Sequence, residues 1–176
     1  LCDDFNRGGF TPLLEADIAG YLYHLLLKRK LAPVNVYLDT RIKTLKKKKQ
    51  KRHYYDLVIG KLNQEDAFVK PDLICQIKAF QRWGLTHQQM RRRLELISKS
   101  DIPSMKSASK VLKNGRVQII VDLFDKDLHG FLEGNQKGHK RIDTLKEKYS
   151  KMKIPLIWIH PNEDGDLGFN VFGRKP

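Results

Sequence analysis

His53-Tyr54-Tyr55-Asp56-Leu57-Val58-Ile59-Gly60 and Asp72-Leu73-Ile74-Cys75-Gln76-Ile77-Lys78-Ala79-Phe80 are the two runs on which the reading of this 176-residue chain turns. Both are short, apolar and rich in β-branched or aromatic residues, and both read as strands. In the first, Asp56 leads into the apolar run. In the second, alternation sets Gln76 and Lys78 on one face and Cys75 and Ile77 on the other. A lysine near the middle of a buried strand is uncommon without a function. If the strands pair as a hairpin, Asp56, Gln76 and Lys78 converge on one divalent cation and one phosphate.

Upstream, residues 11–30 carry a helix signal. Thr11 suits a cap, Pro12 the first turn, and Glu15 and Asp17 the positive end of the helix dipole. Leu14, Ile18, Tyr21, Leu22 and Leu25 recur at three- and four-residue steps, and Lys28, Arg29 and Lys30 close the basic end. Val34 to Leu38 reads as a strand. The run Thr44–Arg52 holds five lysines and one arginine, and like charges at that density resist burial.

Downstream, Thr86-His87-Gln88-Gln89 has the form of a capping box, followed by Met90, Leu94 and Ile97 at helical period. Pro103 and Ser104 are expected to begin a shorter helix stopping near Asn114-Gly115. Strands are expected over 116–124, 154–160 and 166–172, a helix over 139–153, and a loop over 129–138. Gly134-Asn135-Gln136-Lys137-Gly138 lacks the spacing of a phosphate-binding loop. Trp83 is expected to pack the following helix and Trp158 to lie in the core. The order predicts one α/β domain spanning residues 1–176, a mixed central sheet with helices on its faces.

Composition narrows the partners. Thirty-four basic against 20 acidic residues leave a net charge of +14, which favours a polyanion, most commonly nucleic acid. A lysine-rich surface serving only solubility is the plainer reading of the same charge. Cys2 and Cys75 make no disulfide framework, and no Cys/His spacing suits zinc. With no secretory leader or membrane-length apolar run apparent, the expectation is a cytoplasmic protein with no membrane partner.

On these residues the chain resembles the PD-(D/E)XK nuclease superfamily, with its restriction-endonuclease-like fold. Its core is a helix bearing an acid, then a hairpin bearing Asp and (D/E)-x-Lys. Glu15 stands at the helix acid, Asp56 at the metal-binding aspartate, and Gln76-x-Lys78 at the third motif, within residues 11–125. Gln76 replaces the usual acid, as in Mrr-type nucleases directed at methylated DNA. Pro71-Asp72 spells the literal "PD" but sits too close to Gln76 to be the motif.

The resemblance implies a Mg²⁺-dependent DNA endonuclease in which Mn²⁺ can substitute. Asp56, the Gln76 amide oxygen and the Ile77 backbone carbonyl would hold the metal, with Glu15 joining directly or through water. Losing one carboxylate weakens such a site. The metal polarises the scissile phosphate and activates water, while Lys78 orients that water or stabilises developing charge. Lys46, Lys47, Lys48, Lys49, Lys51, Arg52, Arg82, Arg91, Arg92 and Arg93 would meet neighbouring phosphates, which positions DNA without reading sequence. His53 and His87 are lesser candidates for a proton shuttle. A homodimer and a separate specificity partner fit the same picture. Two other readings stay open: a non-catalytic nucleic-acid-binding module that keeps the fold, and a basic assembly protein in which Asp56 and Lys78 do not face each other.

Overall fold

The computed structural model describes residues 1–9, 15–29, 35–42, 54–64, 68–80, 86–123, 130–134 and 140–173. Six strands form one mixed sheet in chain order: β1 (Asn35–Arg41), β2 (Tyr54–Asn63), β3 (Phe68–Phe80), β4 (Arg116–Asp122), β5 (Leu156–Pro161) and β6 (Leu167–Phe172). β1, β2 and β3 run antiparallel, β3, β4 and β5 parallel, and β6 returns antiparallel on β5. The helices are α1 (Cys2–Asn6), α2 (Glu15–Lys28), α3 (His87–Leu96), α4 (Ile102–Ala108), α5 (Gly130–Glu133) and α6 (Arg141–Lys151). This is the expected α/β class, a mixed central sheet with flanking helices.

Parallel neighbours need crossover connections, and these are made by the helices between β3 and β4 and between β4 and β5. Both sets pack on one face. Met90, Ile97, Met105 and Ala108 meet Ile142, Leu145 and Tyr149 over Val58, Ile74, Phe80, Ile120 and Trp158. The opposite face gathers Leu57, Cys75, Ile77, Ala79, Ile119 and Val121 under Ile18 and Ala19 of α2. The alternation in β3 therefore falls as the sequence predicts. Ile74, Ile77 and Phe80 are fully buried, each such burial stabilising the fold by about 1.5–3 kcal/mol.

Several boundaries differ from expectation. β3 begins at Phe68 and runs through Pro71, where a strand starting at Asp72 was expected. Pro71 is tolerated because the pairing jumps from Ile59↔Leu73 to Gly60↔Pro71, leaving Asp72 as an extra residue at a bulge. A side chain at position 60 would run into the Lys70 carbonyl, so glycine is required there.

The helix expected to start at Pro103 is instead the continuation of α3. A π turn over Ile97–Asp101 joins α3 to α4, closed by Ile102 N–H donating to the Ile97 carbonyl. Pro103 offers no N–H to the preceding turn and crowds the carbonyl four residues back, which the wider π turn relieves.

The expected loop over 129–138 contains α5, whose first amides are capped by the buried Asp122 carboxylate through Phe131 N–H and Leu132 N–H. Sequence reading also missed α1, which is tied to β6 by paired hydrogen bonds between Asn6 and the Leu167 backbone. Thr86 forms the expected capping box with Gln89, and Trp158 lies in the core. Cys2 and Cys75 are free thiols. Among the described residues no helix is long and apolar enough to cross a membrane. Thr11, Pro12, His53, Trp83 and the 135–138 segment lie outside the described residues.

Candidate active site

β2 and β3 share a ladder only from Asn63↔Phe68 to Leu57↔Cys75. Beyond that point β2 stays with β1, through Thr40↔Tyr55 and Arg41↔Tyr54, while β3 stays with β4 as far as Phe80↔Asp122. The two strands part, and the β2-facing edge of β3 loses its backbone partner. Unpaired backbone amides in a half-buried place need acceptors. Two carboxylates supply them: Asp56 Oδ2 accepts from Ile77 N–H at 2.5 Å, and Glu15 Oε1 accepts from Ala79 N–H at 3.3 Å. Strand geometry sets the Ile77 carbonyl on this same edge.

Lys78 projects toward the α3–α4 face, and its side chain is only 13% exposed. Its ammonium lies 3.2 Å from Glu15 Oε2 and 4.0 Å from Asp101 Oδ2. Burial opposes the charge on Lys78, but Asp101, Glu15 and Asp56 together outweigh it and hold its pKa above the usual lysine value.

Burial pushes the Asp56 carboxyl up to about 6. The Ile77 amide and Lys78 pull against that rise, and Glu15 and Asp39 add to it. Asp39, opposite on β1, holds a left-handed backbone at φ 43°. Burial likewise raises Asp101 to about 7 against the pull of Lys78. A carboxyl raised by burial is one whose charged form a bound cation stabilises.

Gln76 is 8% exposed, and its Oε1 has no hydrogen-bond partner among the described residues. Its neighbour in register, Gln118, does not serve it, since Gln118 Oε1 accepts from the Tyr149 hydroxyl and its amide donates to the Ile119 carbonyl. Leaving a buried amide oxygen unpaired costs about 1–3 kcal/mol, so this acceptor is open to a donor or a cation. Among the described residues no three His, Cys, Asp or Glu side chains are grouped to hold a metal. The available donors are mixed oxygens: the Asp56 carboxylate, Gln76 Oε1 and the Ile77 carbonyl. Hard oxygen donors of this type, completed by water, fit Mg²⁺.

Arg93 departs from its expected place. Rather than joining an outward basic face, it turns in, its Nη1 donating to Glu15 Oε1 at 3.2 Å and to the Ala79 carbonyl at 2.7 Å. Glu15 thus has Lys78, Arg93 and the Ala79 amide around its two oxygens, which makes it an organiser of the cluster. Arg91 and Arg92 are exposed, as is His87 at the start of α3. Lys46, Lys47, Lys48, Lys49, Lys51, Arg52 and Arg82 lie outside the described residues. Sequence reasoning missed Asp101. Its only local signal is a charged residue one step before an Ile-Pro pair inside a helical period.

No protein-family model matches the chain, and no curated protein matches it. Among solved structures it is similar to that of Pyrococcus furiosus SfsA in complex with Ca²⁺, at 14% sequence identity and a TM-score of 0.35. That alignment covers 90% of this chain and 64% of the SfsA chain, so this chain spans just under two thirds of its length.

Proposed function

We propose that this chain is a Mg²⁺-dependent DNA endonuclease of the PD-(D/E)XK type, with a Gln-x-Lys third motif. The observation that carries the reading is the meeting of Asp56, Glu15 and Lys78 where β2 and β3 part, with Gln76 two residues before Lys78 on β3. Asp56, Gln76 Oε1 and the Ile77 carbonyl are the residues that would hold Mg²⁺. When bound, the ion would supply Lewis acidity at the scissile phosphate. Lys78 would orient the attacking water or stabilise charge building on the phosphate. Glu15 and Arg93 hold Lys78 and the β3 edge in place, and the +14 net charge draws a polyanion toward the cleft. Arg91 and Arg92 would contact flanking phosphates on α3. With one site per chain, cutting both strands calls for a homodimer or for two successive nicks.

One observation favours a second reading. Glu15 is already neutralised by Lys78 and Arg93, and Gln76 carries no charge, so Asp56 alone brings a negative charge to the metal. A module that binds nucleic acid without cutting it would tolerate that loss. The two readings separate on cleavage of supercoiled plasmid and a four-way junction in Mg²⁺, Mn²⁺ and EDTA. Metal-dependent nicking abolished in Asp56→Ala and Lys78→Ala supports the nuclease. Salt-sensitive binding without nicking, unchanged in both variants, supports the binding module.

A further inference from the structure

Asp101 belongs to neither strand motif and has no part in the chemistry above. It is 3% exposed, and its Oδ2, without a hydrogen-bond partner among the described residues, lies 4.0 Å from Lys78 Nζ. A carboxylate so deeply buried is strongly unfavourable unless a cation faces it. Its position follows from the π turn, which brings Ile97, Asp101 and Ile102 all to the buried side. On a flexible four-carbon stem, a lysine ammonium has many rotamers and no directional fork to hold it. Lys78 has a carboxylate on each side: Glu15 from α2, packed on one face of the sheet, and Asp101 from the π turn, packed on the other.

We propose that Asp101 is a positioning residue that, with Glu15, fixes the Lys78 ammonium at the mouth of the parted strands. Glu15 alone would hold it against the β3 edge and Arg93. Asp101 draws it back toward the α3–α4 face and keeps it where β2 and β3 part. The catalytic consequence rests on the nuclease reading; the coupling of the two side chains does not.

The test combines a thermodynamic cycle with kinetics. Melting temperatures are measured at pH 8 without metal for wild type, Asp101→Asn, Lys78→Met and the double variant, with Lys78→Gln replacing Lys78→Met should that protein misfold. Nicking kinetics are measured for wild type, Asp101→Asn and Asp101→Glu. The expected result is that Asp101→Asn shifts the melting temperature upward by several degrees more in the Lys78→Met background than in wild type, because the carboxylate there lacks its cation. In kinetics, Asp101→Asn lowers kcat by about tenfold at unchanged KM, and Asp101→Glu recovers part of it. Equal melting shifts in both backgrounds, or wild-type kcat in Asp101→Asn, would overturn the proposal. A non-additive cycle in a protein that cuts no substrate would sink the nuclease reading and leave the placement of Lys78 by Asp101 standing.

Discussion

Asp56 Oδ2 takes the Ile77 amide hydrogen at 2.5 Å, where the backbone ladder between β2 and β3 has ended. A side chain here replaces a strand, and the carboxylate that closes the edge of β3 is the one proposed to hold the metal. Structure and proposed chemistry therefore share one residue, and substitutions at Asp56 separate them.

Asp56→Asn keeps an acceptor for the Ile77 amide and removes a charge that burial disfavours. The folded-state pKa of about 6 lies above the ordinary 3.8, so the folded protein holds this proton more tightly than the unfolded chain. Its contribution to stability falls as pH rises through that interval. Asp56→Asn should then be more stable than wild type by about 1–3 kcal/mol above pH 6 without metal, and equal to it near pH 4. Urea denaturation at pH 4 and pH 8 checks this. A variant less stable than wild type at pH 8 would contradict it.

Asp56→Ala behaves differently, because it leaves the Ile77 amide without a partner at the half-buried split. It should fall below Asp56→Asn by about 1–2 kcal/mol at pH 8 in the same denaturation experiment. Equal stabilities would mean that the hydrogen bond adds nothing.

Gln76→Glu puts a carboxylate where the proposed metal site has an amide. In the absence of metal, a second buried acid beside Asp56 should lower the melting temperature. Half-maximal nicking should come at a Mg²⁺ concentration on the order of tenfold lower. A Mg²⁺ titration of nicking reads the second effect, and an unchanged half-point would remove Gln76 from the metal shell.

Arg93→Lys keeps the charge but loses the fixed planar guanidinium whose Nη1 reaches both Glu15 and the Ala79 carbonyl. Partial exposure tempers the cost, which should be about 1–2 kcal/mol in chemical denaturation. An Arg93→Lys protein as stable as wild type would show that α3 does not brace the edge.

Gly115 adopts φ +78°, and a side chain there would meet the Asp72 carbonyl. Gly115→Ala should cost about 2–3 kcal/mol through strain where β4 enters the sheet, visible as a drop in the urea midpoint. An unchanged midpoint would show that the turn relaxes freely.

How much of this was legible in the sequence follows from which forces are local. Alternation in β3 depends on a period of two, so the shared face of Gln76 and Lys78 could be read directly. The Thr86–Gln89 box involves residues three apart and was equally plain. Arg93 and Asp101 look like solvated helix charges, because their partners, Glu15 and Lys78, lie 78 and 23 positions away in the chain (93−15 and 101−78). α5 escaped notice for the same reason: its first amides are satisfied by Asp122, which precedes them in a strand. β3 extends back from Asp72 through Pro71 to Phe68, and only the bulge opposite Gly60 makes the proline acceptable there.

The central claim is that Asp56 at the parted strands holds a metal used to cut DNA. Its most direct test is nicking of supercoiled plasmid and a four-way junction across a Mg²⁺ titration, for wild type and the well-folded Asp56→Asn, with melting curves in the same buffers. Wild type is expected to nick in a Mg²⁺-dependent manner and to melt at a higher temperature with Mg²⁺, and Asp56→Asn to lose both. Nicking that persists in Asp56→Asn, or a wild type that neither cuts nor responds to Mg²⁺, would contradict that claim.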